Sequence, residues 1–182
     1  MSGRGRASPF VVPVGALRQR PGTRRQVLAS GPLEDLSVSD SAVPPERDVV
    51  LDVVLESFSG GITVAGTVSA PWSGRCRRCL EEASGTLVAS VREICSQNPD
   101  LDLDYALDGD WLDLEPVAHD ACILELPLAP LCGPDCLGLC PTCGVNLNLT
   151  SCSCVESADP RWGALAALAT PNLDRKSDDG RP

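Results

Sequence analysis

Eight of the ten cysteines in this chain of 182 residues stand in short, regular spacings: Cys76-x2-Cys79, Cys132-x3-Cys136-x3-Cys140-x2-Cys143 and Cys152-x-Cys154. Two thiolates separated by two residues can reach one tetrahedral ion from a tight turn, with zinc–sulfur bonds of about 2.3 Å. The segment Cys140-Pro141-Thr142-Cys143-Gly144 has the shape of a zinc knuckle. Pro141 fixes a backbone angle behind the first ligand, and Gly144 admits the positive φ that turns backbone N–H groups towards sulfur. Cys152 and Cys154 follow closely enough to complete a four-cysteine site. Cys76, Cys79, Cys132 and Cys136 are left for a second site, across a gap of 52 residues. An exchange of partners is the rival division: Cys132 and Cys136 with Cys140 and Cys143, and Cys76 and Cys79 with Cys152 and Cys154. One or two structural zinc ions are implied.

The remaining chemistry is sparse. Cys95 and Cys122 stand alone, one ending a strand and the other beside a helical stripe, and are expected to act as small buried hydrophobes. Cys76-Arg77-Arg78-Cys79 also admits a thiol oxidoreductase, because flanking arginines lower a thiol pKa. Such motifs open a helix in a βαβ unit, however, and the flanks here are strand-like. His119 is the sole histidine, beside Asp120 and without a nucleophile at recognisable spacing. No glycine-rich phosphate loop and no metalloprotease helix is present. The chain therefore reads as non-enzymatic.

The elements that must carry these cysteines follow from periodicity. Val49, Leu51, Val53 and Leu55 alternate with polar residues, Ser59-Gly60-Gly61 turns the chain, and Ile62, Val64, Val68 and Ala70 resume the period of two. A third strand over Thr86–Ile94 follows the Cys76–Cys79 turn. An α+β fold is expected: an antiparallel β-meander with a zinc knuckle at one tip, one or two short helices, and a Cys-rich C-terminal segment. The first helix starts near Asp113 or Pro116, stripes Val117, Ala121 and Leu124, and ends before Pro127. A second runs from Asp159 through Trp162, Leu165 and Leu168. The expected divisions are a basic, partly ordered arm over 1–25, a β-rich core over 26–130 with 26–47 loop-like, a Cys-rich segment with a short helix over 131–170, and a disordered tail over 171–182.

Composition sets the outer bounds. Aromatics make up 3% of residues, so the core is aliphatic. No run of 18 apolar residues exists, which argues against a membrane span, and no signal-peptide core is evident. A cytoplasmic protein is expected, and there cysteine clusters signal metal or redox chemistry more than disulfides. Charge is segregated along the chain. Six of the 15 basic residues lie in the first 25 positions, while 25 acidic residues bring the formal charge to −10. Between Arg92 and Arg161 there is no Lys or Arg, and Asp100, Asp102, Asp104, Asp108, Asp110 and Asp113 crowd part of that gap. Such a surface repels phosphate backbones and attracts basic partners.

Three stretches resemble a known family. They are Pro9-Phe10-Val11-Val12 through Leu17-Arg18-Gln19-Arg20-Pro21-Gly22-Thr23, the knuckle Gly74-Arg75-Cys76-Arg77-Arg78-Cys79-Leu80, and Leu131-Cys132-Gly133-Pro134-Asp135-Cys136 through Cys140-Pro141-Thr142-Cys143-Gly144-Val145-Asn146-Leu147-Asn148. With Cys152-x-Cys154 and Asp159-Pro160-Arg161-Trp162 they cover most of residues 9–170 in the order of the actinobacterial YceD-type proteins. That resemblance implies a role in accumulation of the large ribosomal RNA. Combined with the charge pattern, it points to a basic large-subunit ribosomal protein as the main partner, held by Asp100–Asp113. A secondary RNA contact would run through Arg18, Arg20, Arg24 and Arg25.

Overall fold

A computed structural model describes residues 8–97 and 105–154, together with 161, 163 and 165. These fall into two compact units, Met1–Gly138 and Leu139–Pro182. In the first, nine strands form one curled half-barrel sheet and two helices accompany it.

The expected meander forms its spine. β5 (Val49–Phe58), β6 (Gly61–Arg75) and β7 (Glu82–Ser96) pair antiparallel in sequence order. β6 and β7 are 15 residues each, longer than the alternation alone suggested. Their full-length register runs from Gly61↔Ser96 to Arg75↔Glu82, so the hairpin tip falls on the Cys76–Cys79 turn. Midway along β6 a Cβ on Gly66 would run into the carbonyl of Asp52, so β5 and β6 approach closely there.

Several expectations need correction. Residues 26–47 are not loop-like throughout: β2 (Arg24–Gly31) pairs with β5 from Arg24↔Glu56 to Gly31↔Val49. The short hairpin of β3 (Ser37–Val38) and β4 (Ser41–Ala42) lies against the far end of β6. The acidic stretch is also partly ordered, as β8 (Tyr105–Asp108) and β9 (Trp111–Asp113). β8 joins β7 in parallel, so the sheet is mixed rather than wholly antiparallel.

The basic N-terminal segment is not an arm over residues 8–25. β1 (Val11–Pro13) pairs with β9, and α1 (Gly15–Arg18) packs on β5. Phe10 is fully buried, and its carbonyl accepts the N–H of Leu114 at 3.0 Å. Residues 1–7 and Asp100, Asp102 and Asp104 lie outside the described residues, as do the second helix from Asp159 (save 161, 163 and 165) and the tail over 171–182.

α2 (Glu115–Glu125) closes the core by packing on β7 and β6. Its buried side is Val117, Ala118 and Cys122. The expected stripe therefore shifts: Ala121 is half-buried and Leu124 is 86% exposed. Cys95 and Cys122 are both fully buried in the core, and burial pushes the Cys122 thiol up to about 11. Among the described residues no helix is long and apolar enough to cross a membrane.

Candidate metal centres

The β6–β7 tip is shaped before any ion is considered. The N–H of Cys76 donates to Glu81 O at 2.8 Å, and the N–H of Leu80 donates to Cys76 O at 2.9 Å. Leu80 completes the turn in the left-handed region, with φ 64°. The C-terminal stretch of the first unit then docks on the tip. Arg77 N–H donates to Pro130 O at 2.9 Å, and the Arg78 guanidinium donates to Cys136 O at 3.0 Å. These two bonds bring Cys132 and Cys136 to Cys76 and Cys79. Sequence reasoning treated both arginines only as flanking charge, so it missed this clamping role.

The first centre is thus Cys76, Cys79, Cys132 and Cys136, with all four sulfurs within 4.8 Å of one another. Cys76 Sγ lies 3.7 Å from Cys136 Sγ, and Cys79 Sγ lies 3.5 Å from Cys132 Sγ. Four sulfurs around one zinc ion at about 2.3 Å would sit roughly 3.8 Å apart. The donor set fits such an ion. Cys76, Cys79 and Cys136 are buried, while Cys132 is exposed. Trp72 packs against both this cluster and the main aliphatic core.

The second centre lies wholly in the second unit and comprises Cys140, Cys143, Cys152 and Cys154, again within 4.8 Å. Cys140 to Val145 form a tight, hydrogen-bonded turn. Gly144 has φ 74° and its N–H donates to Cys140 O at 2.9 Å, while Cys140 N–H donates to Val145 O at 2.8 Å. The Leu139↔Asn146 bridge closes the loop. Of the two divisions the spacings allowed, the structure shows the one that keeps 140–154 together. All ten cysteines are free thiols.

Electrostatics differ within each cluster. Burial works to raise the Cys76 pKa, but N–H groups of Cys79, Cys132 and Arg78 outweigh it and hold the thiol down at about 6. Backbone N–H groups of Cys143 and Thr142, followed by the Cys152 side chain, hold Cys140 at about 6. Cys132 is pushed up to about 12 by hydrogen bonds with Cys79 and Cys136. Cys154 is pushed up to about 12 by those with Cys143 and Cys140. Each cluster therefore has one thiolate poised to accept a cation and others that give up a proton only to a metal.

The other expected site residues fare differently. Arg18 is held by Gly109 O and stands 3.8 Å from Asp110, and Arg24 pairs with Glu56 at 2.9 Å. Arg25 points into the sheet's inner side, where its Nε has no hydrogen-bond partner. Of the four, Arg20 alone is exposed without an ion pair among the described residues. His119 is half-buried on α2, 3.3 Å from Asp120.

Residues 64–169 match the family model described as large ribosomal RNA subunit accumulation protein YceD. An uncharacterized protein of Mycobacterium tuberculosis is 36% identical over 182 residues, covering 92% of this chain and 85% of its own. One from Mycobacterium leprae is 29% identical, covering 94% of this chain and 82% of its own. A chloroplastic large ribosomal RNA subunit accumulation protein homolog from Zea mays is 28% identical, covering 76% of this chain and 59% of its own. No solved structure matches.

Proposed function

This chain belongs to the YceD family of large ribosomal RNA subunit accumulation proteins, and on that premise we propose that it is a non-enzymatic, zinc-binding factor promoting 23S rRNA accumulation in the cytoplasm. The observation that carries the reading is the pair of four-thiol clusters, each with no imidazole or carboxylate ligand among the described residues. All-sulfur, four-coordinate sets suit zinc in a structural role, since no position is left open for water or substrate. Cys76, Cys79, Cys132 and Cys136 would hold one ion, and Cys140, Cys143, Cys152 and Cys154 the other. When bound, zinc would cross-link chain segments and leave the thiols unreactive.

Charge favours a protein partner over RNA. Eight ligated thiolates and two zinc ions lower the formal charge of −10 to about −14. Duplex RNA is bound by Lys and Arg neutralising phosphates, and that field opposes it. A basic large-subunit ribosomal protein is the partner this surface suits. Arg18 and Arg24 are already engaged within the chain, which weakens the case for RNA contact through the N-terminal segment.

Deletion of the gene is expected to lower mature 23S relative to 16S rRNA, and an unchanged ratio would overturn the proposal. Thiol oxidoreductase activity is the rival. Native mass spectrometry under reducing conditions separates the two: two bound zinc ions support the structural role, whereas apo protein with a freely titrating Cys76–Cys79 pair supports redox catalysis.

A further inference from the structure

We propose that the outward face of α2, around Leu124, is the docking surface for a lysine- and arginine-rich segment of the partner protein. The inference rests on the ribosomal-protein reading above, but moves the contact away from the Asp100–Asp113 stretch. Leu124 is 86% exposed on a helix whose buried side is Val117, Ala118 and Cys122, and Leu128, just past the helix end, is 71% exposed. Leu124 borders a depression lined by carboxylates, so an apolar residue of a basic partner would find an apolar contact beside charge.

Two depressions flank the helix, and both are walled by carboxylates. One, of about 510 Å³, is lined by Glu34, Asp35, Glu115 and Asp120 beside His119. The other, of about 130 Å³, is lined by Glu93, Asp120 and Glu125 together with Leu124 and Tyr105. Among the described residues neither wall contains Lys or Arg. Glu34, Asp35, Glu93 and Glu125 make no ion pair among the described residues, whereas Asp110 and Glu56 are matched by Arg18 and Arg24. The hairpin of β8 and β9 is thus partly neutralised, whereas Glu34, Asp35, Glu93 and Glu125 ring the α2 face with a negative field and have no ion pair among the described residues; Asp120 there accepts the Tyr105 hydroxyl and stands 3.3 Å from His119.

That field selects the occupant. RNA phosphates and a second copy of this acidic chain would both be repelled, while a basic segment with an apolar residue satisfies both the carboxylates and Leu124. The apolar contact holds the complex, and the carboxylates speed and orient the encounter.

The test uses the full zinc-loaded chain. It is immobilised against proteins extracted from purified large ribosomal subunits, then titrated with a synthetic amphipathic lysine–leucine peptide at low and high salt. Leu124→Ser is expected to weaken peptide binding roughly tenfold with unchanged salt dependence. Glu93→Gln/Asp120→Asn/Glu125→Gln is expected to weaken it similarly while flattening the salt dependence. Asp108→Asn, on the hairpin, should bind like wild type, and circular dichroism with zinc content checks that each variant is folded. If wild type captures basic ribosomal proteins and the α2 variants capture them equally, this surface is wrong and the partner reading stands. If wild type captures neither protein nor peptide, both fall, and the 23S ratio judges the broader role separately. Competition by an RNA oligomer, or dimerisation lost in Leu124→Ser, would also overturn the assignment.

Discussion

Trp72 lies directly over Gly85 across the β6–β7 ladder, with indole atoms 3.0–3.1 Å from where a Cβ on residue 85 would stand. The space a side chain would take is occupied by the ring that links the first centre to the aliphatic core. Gly85→Ala should therefore cost about 1–3 kcal/mol by overpacking. Urea denaturation measures it, and the penalty should shrink in a Trp72→Leu background. Equal costs in both backgrounds would show that the ring is not the obstacle.

The two centres sit in different units, so their loss should be felt in different places. Cys136→Ser is expected to remove one zinc ion and loosen the β6–β7 tip, residues 130–136 and the packing around Trp72. Cys140→Ser should remove the other and unfold 139–154, leaving the half-barrel protected. Small thiolate sites contribute on the order of 10 kcal/mol of apparent binding energy. Native mass spectrometry counts the ions, and hydrogen exchange maps the damage. Loss of protection throughout β5–β7 in Cys140→Ser would contradict this division.

Metal affinity should fall steeply as pH falls. Cys79 and Cys132 are both raised above the usual thiol value of 9.0, as are Cys152 and Cys154. Each ion must therefore displace at least two protons at neutral pH, a loss of roughly a hundredfold in affinity per pH unit. Calorimetry in buffers of different ionisation enthalpy reads the proton count. In metal-free protein the sign for the lowered thiols is fixed by linkage. The stabilisation from Cys76 and Cys140 is full above 9.0 and is lost as pH falls through about 6.

Leu80 is 57% exposed and holds φ 64°, a conformation that costs an L-residue with a γ-branched side chain about 1–2 kcal/mol. Leu80→Asn should accept the same backbone more readily and raise the thermal midpoint, by about 0.5–1 kcal/mol in free energy. A lower midpoint with zinc retained would mean that the Leu80 side chain itself makes a stabilising contact.

The meander was legible because Val49–Leu55 and Ile62–Ala70 alternate large aliphatics with polar residues. β2 was not, because its inward positions are Arg25, Val27, Ala29 and Gly31, which dwindle in size and begin with a charge. β8 and β9 were hidden by aspartates, although Leu107 and Leu112 are buried and stand opposite each other. Spacing alone proposed the two cysteine quartets whose sulfurs the structure gathers, but left a rival division open. What separates the two is the hydrogen bonding of Arg77 and Arg78 to residues 130 and 136, a long-range contact that no local pattern encodes. Leu124 looked like core by spacing, and only the packing of α2 on the sheet reveals it as surface.

Cys79 and Cys132 are 53 positions apart, whereas the second centre is complete within Cys140–Cys154. On a ribosome synthesising this chain, the first quartet cannot assemble until β7, β8, β9 and α2 have been made. The second needs only the last few residues of its own loop. Tying off the longer loop removes about 4 kcal/mol of unfolded-chain entropy, on a polymer estimate for a cross-link of this span. If each quartet takes up an ion as proposed, the nascent protein would load them by different rules. One would act as a latch that closes only over a finished half-barrel, and the other as a self-contained bead that forms whenever metal is at hand. In a zinc-starved cell, an empty first quartet would leave the half-barrel without its latch.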